Sequence, residues 1–513
     1  MVFKLDKEKI FLIVVAVLAL IIRLVVFIQG GNHAADGMYR TILAINWLKA
    51  PYFITGDLWP PLHLYMTAFA TAIFGNPFVS TRLVSLIFGV LIIFPYYYLV
   101  KLLFDNDKRI AMISTLILAF LSIHVQYSTY SMSEVPFAFF LITSLFFFFR
   151  FKRDDAKGLA NLIISAIFLN AASMTRYEAW LFIPLMAFMV VIEGKSVKKE
   201  YIKYSLICLA ISLIFPISWM IGNYNLFGDA FYGQTWSDKW IQTNTMLNPD
   251  SPWLNPPFYK KLTTWPGSIL YTLNIVSIFA VIGLLISLIR KKNLEFLSVF
   301  VILMGIFTYK LVNVTMLSQA RHMIMPILFI IPYFTIGLDA ILDYLTSIVG
   351  HKNKNWKGVV MAIVICLFII TSSYVAIAKS PYITPSYVLD VSEWIRVNVK
   401  SNETVLLDEY NWWGLHIIFF SGFNTTFTED YLKTFEYVTD QIRIVSSGGK
   451  KIDDAIVIDY LEKAPTYLVY SPRGKLVNVL NFSSECKNEK YRGYLFECEY
   501  MTKNYNVYRL QRT

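Results

Sequence analysis

Ile10-Phe-Leu-Ile-Val-Val-Ala-Val-Leu-Ala-Leu-Ile-Ile-Arg23-Leu-Val-Val-Phe-Ile28, followed after a short break by His33-Ala-Ala-Asp36-Gly-Met-Tyr39-Arg40, is the stretch on which the fold class turns. The first run is almost pure hydrocarbon and long enough for one helix to cross a bilayer core. Three lysines lie in Met1 to Lys9 and no small-residue cleavage site follows, so the run is expected to be a retained span rather than a signal peptide. The polar stretch then places a carboxylate, Asp36, at a membrane surface. Gly56-Asp57-Leu-Trp59-Pro60-Pro61-Leu-His63 answers it further on, with a proline-fixed turn and aromatic neighbours.

Of the 513 residues, 56% are hydrophobic and 16% charged, and mean hydropathy is +0.52, beyond the apolar share of an ordinary soluble domain. The chain therefore reads as a polytopic α-helical membrane protein. Lys and Arg number 46 against 35 Asp and Glu, a net charge of +11. That excess would suggest nucleic acid if the cations formed runs or aromatic-interleaved strips. They gather instead in short loops between apolar segments, the bias that sets membrane orientation. The partners expected are the lipid bilayer and lipid-linked molecules, with no nucleic acid. Cys208 and Cys366 fall in apolar spans and Cys486 and Cys498 share one polar segment, a pattern that spells no metal cluster.

Apolar windows predict about eleven transmembrane helices, near residues 10–28, 83–103, 110–124, 135–150, 159–175, 179–193, 202–222, 268–289, 296–312, 323–341 and 358–378. With the amino terminus cytoplasmic, the inner segments hold roughly twenty Lys and Arg against about eight in the outer loops. An odd number of spans puts the carboxyl-terminal region on the extracytoplasmic side. Glycosylation sequons at Asn313, Asn402, Asn424 and Asn481 and the Cys486/Cys498 pair agree with that side.

Residues 1–379 thus form a membrane domain, and from residue 380 to 513 the composition becomes that of a soluble domain. Ser386 to Val399 has helical spacing, Thr404 to Leu407 reads as a buried strand and Trp412 to Phe420 as a second helix. Asp453 to Lys463 and Thr466 to Tyr470 repeat the order of helix then strand, and Tyr494 to Tyr500 with Asn506 to Leu510 reads as a terminal hairpin. The alternation predicts a small C-terminal α/β domain.

Polar residues of the membrane domain concentrate at outer helix ends. They are His124-Val-Gln126-Tyr127-Ser-Thr-Tyr130-Ser-Met-Ser-Glu134-Val-Pro136, Thr175-Arg176-Tyr177-Glu178 and Ser318-Gln-Ala-Arg321-His322. Together with the first outer loop they would line one water-facing cavity. Ionisable groups near membrane depth are costly and are kept for a function or a partner. Asp36 suits a general base, and the alternative is a cap on an amphipathic helix over Gly37 to Lys49. Asp57 reads as a turn residue or, with Tyr39, Arg40, His63, Glu134 and Glu178, as one of the supporting, substrate-binding groups. Arg176 and Glu178 either serve a substrate or pair with each other and with neighbouring helices. Arg321-His322 forms a natural clamp for a phosphate attached to a membrane-embedded chain. Arg23 would serve similarly or snorkel to the outer interface, and Arg82 reads as an anchor. His33, His63, His124 and His322 show no metal-ligand spacing. The long outer loop Gly222 to Gly267 is rich in Trp, Tyr, Asn and Pro and reads as a cover that contacts the acceptor.

In this order, Asp36-Gly-Met-Tyr39, Trp59-Pro60-Pro61-Leu-His63, Arg82, Ser133-Glu134-Val-Pro136, Thr175-Arg176-Tyr177-Glu178 and Arg321-His322-Met-Ile-Met-Pro326 resemble the membrane-embedded GT-C glycosyltransferases. More narrowly, the chain looks like the protein mannosyltransferase and aminoarabinose transferase branch, in an archaeal-type version. The resemblance implies an inverting transfer of a sugar, mannose or another hexose, from a polyprenyl or dolichyl phosphate to a glycan, protein or lipid acceptor. It makes Asp36 the base and gives the departing phosphate to Arg321 and His322, with Arg176 second. No cofactor is required, and a divalent metal is not favoured, because the phosphate is already a good leaving group. The family often has a second acid directly after the first. Here that position is Gly37, which leaves Asp36 alone or assisted by Asp57 or Glu134.

Two other readings compete. Oligosaccharyltransferase catalytic subunits share the architecture, need a divalent metal and carry Trp-Trp-Asp-Tyr-Gly, where this chain has only Asn411-Trp412-Trp413-Gly414. A non-catalytic transporter of lipid-linked sugar would also have a basic outer cavity, but transporters tend to show repeated halves, and none is evident.

Overall fold

The computed structural model describes residues 6–29, 35–153, 158–193, 198–247, 254–349, 355–378, 384–400, 402–408, 413–422, 442–444, 453–463, 465–474 and 476–513. It divides into two compact units, Met1–Gln29 with Tyr52–Pro381, and Gly30–Pro51 with Tyr382–Thr513. The division assigns Gly30–Pro51 to the carboxyl-terminal unit, whereas its sequence position alone had grouped it with the membrane domain.

The first unit is helical, and each of the eleven apolar stretches falls on helical segments, several of them divided between two helices. Among the described residues, five helices are long and apolar enough to cross a membrane: Lys7–Gln29, Pro77–Leu103, Glu134–Phe151, Leu294–Val312 and Trp356–Ala378. The number rises to eight if each of three bent pairs counts as one span. One pair, Phe258–Leu273 with Ile275–Arg290, turns by 117°. Asn274 makes that turn with φ 52° and ψ −132°, so the stretch expected to run unbroken from 268 is divided there. The short helix Leu62–Phe74, between Pro61 and Gly75, escaped the hydropathy windows because it has only 13 residues.

Local chemistry sets the helix starts. Asn76 Oδ1 accepts a hydrogen bond from the Val79 amide ahead of Pro77, and the Asp107 carboxylate accepts from the amides of Arg109 and Ile110. Gly283 and Gly337 let two helices touch backbone to backbone. A Cβ on either would lie 1.9 Å from a carbonyl oxygen of the other, Tyr333 O or Phe279 O.

Arg23 neither reaches a phosphate site nor snorkels. It is fully buried, donates to the carbonyls of Ala19 and Ala119 at 2.9 and 3.0 Å, and lies 2.8 Å from His124 Nδ1. The reason is the break at Leu121, which separates helices Lys108–Phe120 and Ser122–Tyr127 and frees the Ala119 carbonyl. Arg82 acts likewise on Thr129 O and Phe27 O, with its guanidinium 3.9 Å from the Phe27 ring. Ser85 Oγ donates to Met132 O. The buried polar segment leading to Glu134 is therefore held by donors from the first two spans.

In the second unit, six strands pair in the order β2-β1-β3-β6-β5-β4, with β1 Val405–Leu407, β2 Ile442–Ile444, β3 Tyr467–Tyr470, β4 Glu489–Tyr491, β5 Tyr494–Met501 and β6 Asn506–Arg512. β1 is parallel to β2 and β3, and the remaining pairs are antiparallel. Helices Ser386–Asn398, Gly414–Phe420 and Asp454–Glu462 lie where helical spacing placed them. Leu406, Val457, Leu461, Leu468, Phe496 and Tyr508 form the core of the α/β domain. Asp408, buried just after β1, accepts from the amides of Ser471 and Leu476, and Gly474 packs on its carboxylate at a distance no Cβ tolerates. A disulfide joins Cys486 to Cys498.

Candidate functional site

Three helix starts converge in the first unit. Glu134 opens the helix Glu134–Phe151, Arg176 precedes the short turn Tyr177–Leu181, and Arg321 and His322 lie in the turn Ala320–Met323. Each is a position where the backbone leaves regular helix, so a side chain there points past the helix end.

Arg176 Nη1 donates to Glu134 Oε1 at 2.8 Å, while its Nη2 and Nε donate to Glu178 at 2.7 and 3.1 Å. Arg321 Nε lies 3.7 Å from the same Glu134 oxygen. Two arginines thus share one buried carboxylate, and Glu178 offsets the charge of the first. Paired in this way, the four groups are stable at a depth where a lone ion is not. A small cavity opens among Glu134, Arg176, Glu178, Arg321 and His322, closed on its apolar side by Phe307. Glu134 Oε2 and His322 Nδ1 have no hydrogen-bond partner among the described residues. The His322 ring is held edge-on by Trp265 and Phe307, 6.2 and 6.1 Å away.

Asp57 belongs to the same unit. Its Oδ1 accepts from the Leu58 amide at 2.6 Å, and the Leu58 carbonyl accepts from Tyr177 Oη at 3.2 Å. Trp219 Nε1 donates to that phenol at 2.9 Å. The Asp57 loop is therefore tied to the residue between Arg176 and Glu178. Gly233 fits against Leu58 O and Tyr177 Oη, where any Cβ would collide. His63 is fully buried in the helix Leu62–Phe74.

Asp36, Tyr39 and Arg40 lie on the helix Ala35–Lys49 of the second unit. The helix begins two residues before the expected Gly37, so Asp36 sits inside its first turn, half-buried, with Tyr39 and Arg40 buried on the next. A carboxylate there is favoured by the helix dipole. His33 falls outside the described residues. Among those described, no group of three or more His, Cys, Asp and Glu converges as metal ligands would.

Lys310 and Asp238 were not singled out in the sequence. Their ion pair, 3.1 Å, ties the end of the helix Leu294–Val312 to the helix Tyr232–Leu247, which occupies part of the stretch from Gly222 to Gly267 that reads as a loop in the sequence. A lone lysine near the end of an apolar span was the available signal.

Residues 59–219 match the family model described as dolichyl-phosphate-mannose-protein mannosyltransferase, a segment that contains His63, Glu134, Arg176 and Glu178. No curated protein matches the chain. Among solved structures, apo ArnT from Cupriavidus metallidurans gives a TM-score of 0.58 at 13% identity and covers 98% of each chain. The same protein bound to undecaprenyl phosphate gives 0.58 at 13%, covering 97% of each. The apo oligosaccharyltransferase of Archaeoglobus fulgidus gives 0.58 at 14%, over 92% of this chain and 70% of that one. At these identities the likeness establishes the fold.

Proposed function

Because the chain has the GT-C fold, we propose that it is an inverting glycosyltransferase that moves a hexose from a polyprenyl or dolichyl phosphate to a hydroxyl of a glycan, protein or lipid. The observation that carries this reading is the convergence of Arg176, Arg321 and His322 on one cavity, from segments far apart in sequence. The fold is one in which ArnT has been solved with undecaprenyl phosphate. The resemblance nominates Asp36 as the base that takes the proton of the acceptor hydroxyl, whose oxygen attacks the anomeric carbon as the bond to the phosphate breaks. Arg321 receives the charge that develops on the departing phosphate. Arg176, bonded to two carboxylates, supports Arg321 by fixing Glu134. In this proposal the amino terminus is cytoplasmic and the C-terminal domain extracytoplasmic, following the basic loops.

The test is to incubate the purified protein with a panel of polyprenyl-phosphate hexoses and an alcohol acceptor, and to follow donor consumption and product mass. Asp36→Asn is expected to slow turnover about 10²- to 10⁴-fold. Chelator is expected to leave the rate unchanged. Full turnover by Asp36→Asn would defeat the assignment of the base. The likeness to an oligosaccharyltransferase supports a second reading, transfer of a preassembled glycan, and a product heavier by more than one hexose together with loss of activity in chelator would favour it.

A further inference from the structure

We propose that a groove between the helices Glu134–Phe151, Phe182–Glu193 and Leu294–Val312 holds the apolar chain of an anionic membrane lipid whose headgroup rests on the basic loop Arg290-Lys291-Lys292. The groove has a volume of about 560 Å³, in the range of sites that enclose a ligand. Phe148, Met186, Met189, Val299 and Ile302 line it, and Lys291 stands at its rim. Two of its three walls are helices long and apolar enough to span a membrane, so its natural content is hydrocarbon. The two methionines suit an irregular flexible chain.

The charge of the rim selects the headgroup. Arg290, Lys291 and Lys292 are exposed, and among the described residues lining the groove the acidic one is Glu295. Each cation near a membrane surface strengthens the binding of anionic lipid roughly fivefold. The loop is also fixed in place. Lys291 and Asn293 adopt left-handed backbone, the Tyr333 hydroxyl donates to the Asn293 carbonyl, and the Leu297 amide donates to the same hydroxyl at 3.1 Å. A headgroup therefore meets a formed surface.

This lipid is distinct from the sugar donor. Leu294 lines the groove mouth and Phe307 lines the cavity of Glu134 and Arg321, and both lie on one helix. Thirteen residues of helix separate them by about 20 Å, so one phosphate cannot occupy both places.

Native mass spectrometry of the full chain, released from nanodiscs that contain equal phosphatidylglycerol and phosphatidylcholine with the same chains, tests the proposal. Phosphatidylglycerol should be retained at least about tenfold over phosphatidylcholine. The double variant Lys291→Gln/Lys292→Gln, confined to exposed side chains, should lower that retention about tenfold, and Val299→Trp, which fills the groove, should lower it as well. Equal retention of the two lipids overturns the proposal. So does retention unchanged in both variants. Displacement of phosphatidylglycerol by added polyprenyl phosphate, one for one, would give the groove to the donor chain instead.

Discussion

Arg176 in the membrane-embedded unit is 17% exposed at its side chain and bonds Glu134 at 6% and Glu178 at 26%. Arg396 in the carboxyl-terminal unit is 55% exposed and bonds Glu393 at 58%. The two sets use the same chemistry. Exposed pairs within one helix contribute little, because water already solvates both partners. A buried set must stay complete, since removing one partner strands the others away from water. The first arrangement is therefore expected where geometry has to be held for a purpose, and the second where solubility is enough.

The sharpest way to break this contrast is to delete both cations. Arg176→Ala leaves half-buried Glu178 without its counter-ion and buried Glu134 with Arg321 at 3.7 Å, and a loss of about 3–5 kcal/mol is expected on unfolding in detergent. Arg396→Ala should leave the unfolding midpoint within scatter. Similar midpoints for the two variants would show that burial does not decide the matter. Arg321→Ala comes next. Its Nε lies 3.7 Å from Glu134 Oε1 against 2.8 Å for the bond from Arg176, so turnover should fall about 10²- to 10³-fold while the unfolding midpoint falls less than in Arg176→Ala. A variant that unfolds but keeps its specific activity would reverse the roles proposed for the two arginines.

Much of this was legible in the chain, and unevenly. In the second unit the alternation of short helices and strands could be read residue by residue, because each element declares itself through local periodicity. β2 (Ile-Arg-Ile) and β4 (Glu-Lys-Tyr) were missed, since three residues of mixed polarity give neither the apolar run of β1 nor a full alternation. In the first unit hydropathy located the helices but not the breaks, and the breaks decide where the charges go. Arg23 looked like a clamp or an anchor until the kink at Leu121 supplied it with a carbonyl. The motifs Glu134, Arg176-Tyr-Glu178 and Arg321-His322 were visible as polar islands at helix ends. The Arg176–Glu178 pair was one of the readings the sequence offered, but the meeting of Glu134 with Arg176 and Arg321 was not, because these residues lie far apart in sequence and come together only through packing. The placement of Gly30–Pro51, which carries Asp36, in the second unit is likewise a tertiary property that no local pattern encodes.

A covalent link sharpens the comparison from the other side, because the second unit relies on a cross-link where the first relies on buried ions. Cys486 and Cys498 close a loop with a separation of 12 residues. Replacing both with serine is expected to cost roughly 3 kcal/mol, by returning chain entropy to the unfolded state. Limited proteolysis of the C-terminal region reads this directly. Cleavage no faster than in the wild type would mean that the sheet around β5 holds without the bridge.

The smallest effect belongs to Asp454. Its carboxylate accepts from Tyr491 Oη and Arg492 Nη2, both at 2.7 Å, and so ties the start of the helix Asp454–Glu462 to the turn after β4. Hydrogen bonds from Tyr491 and then Arg492 hold its pKa below the ordinary 3.8. A folded-state value lower than the unfolded one gives stability that is present above pH 4 or so and is lost as the pH falls through the folded value. Asp454→Asn should therefore lower the unfolding midpoint slightly at pH 7, and the gap should narrow as the pH falls below 3.8 toward the folded value. Unfolding midpoints of both proteins at pH 7, 5, 3 and 2 decide the point. A gap that does not narrow at all below pH 3.8 would mean that shape rather than charge supplies the contact, and that even an exposed pair in this unit is held by packing.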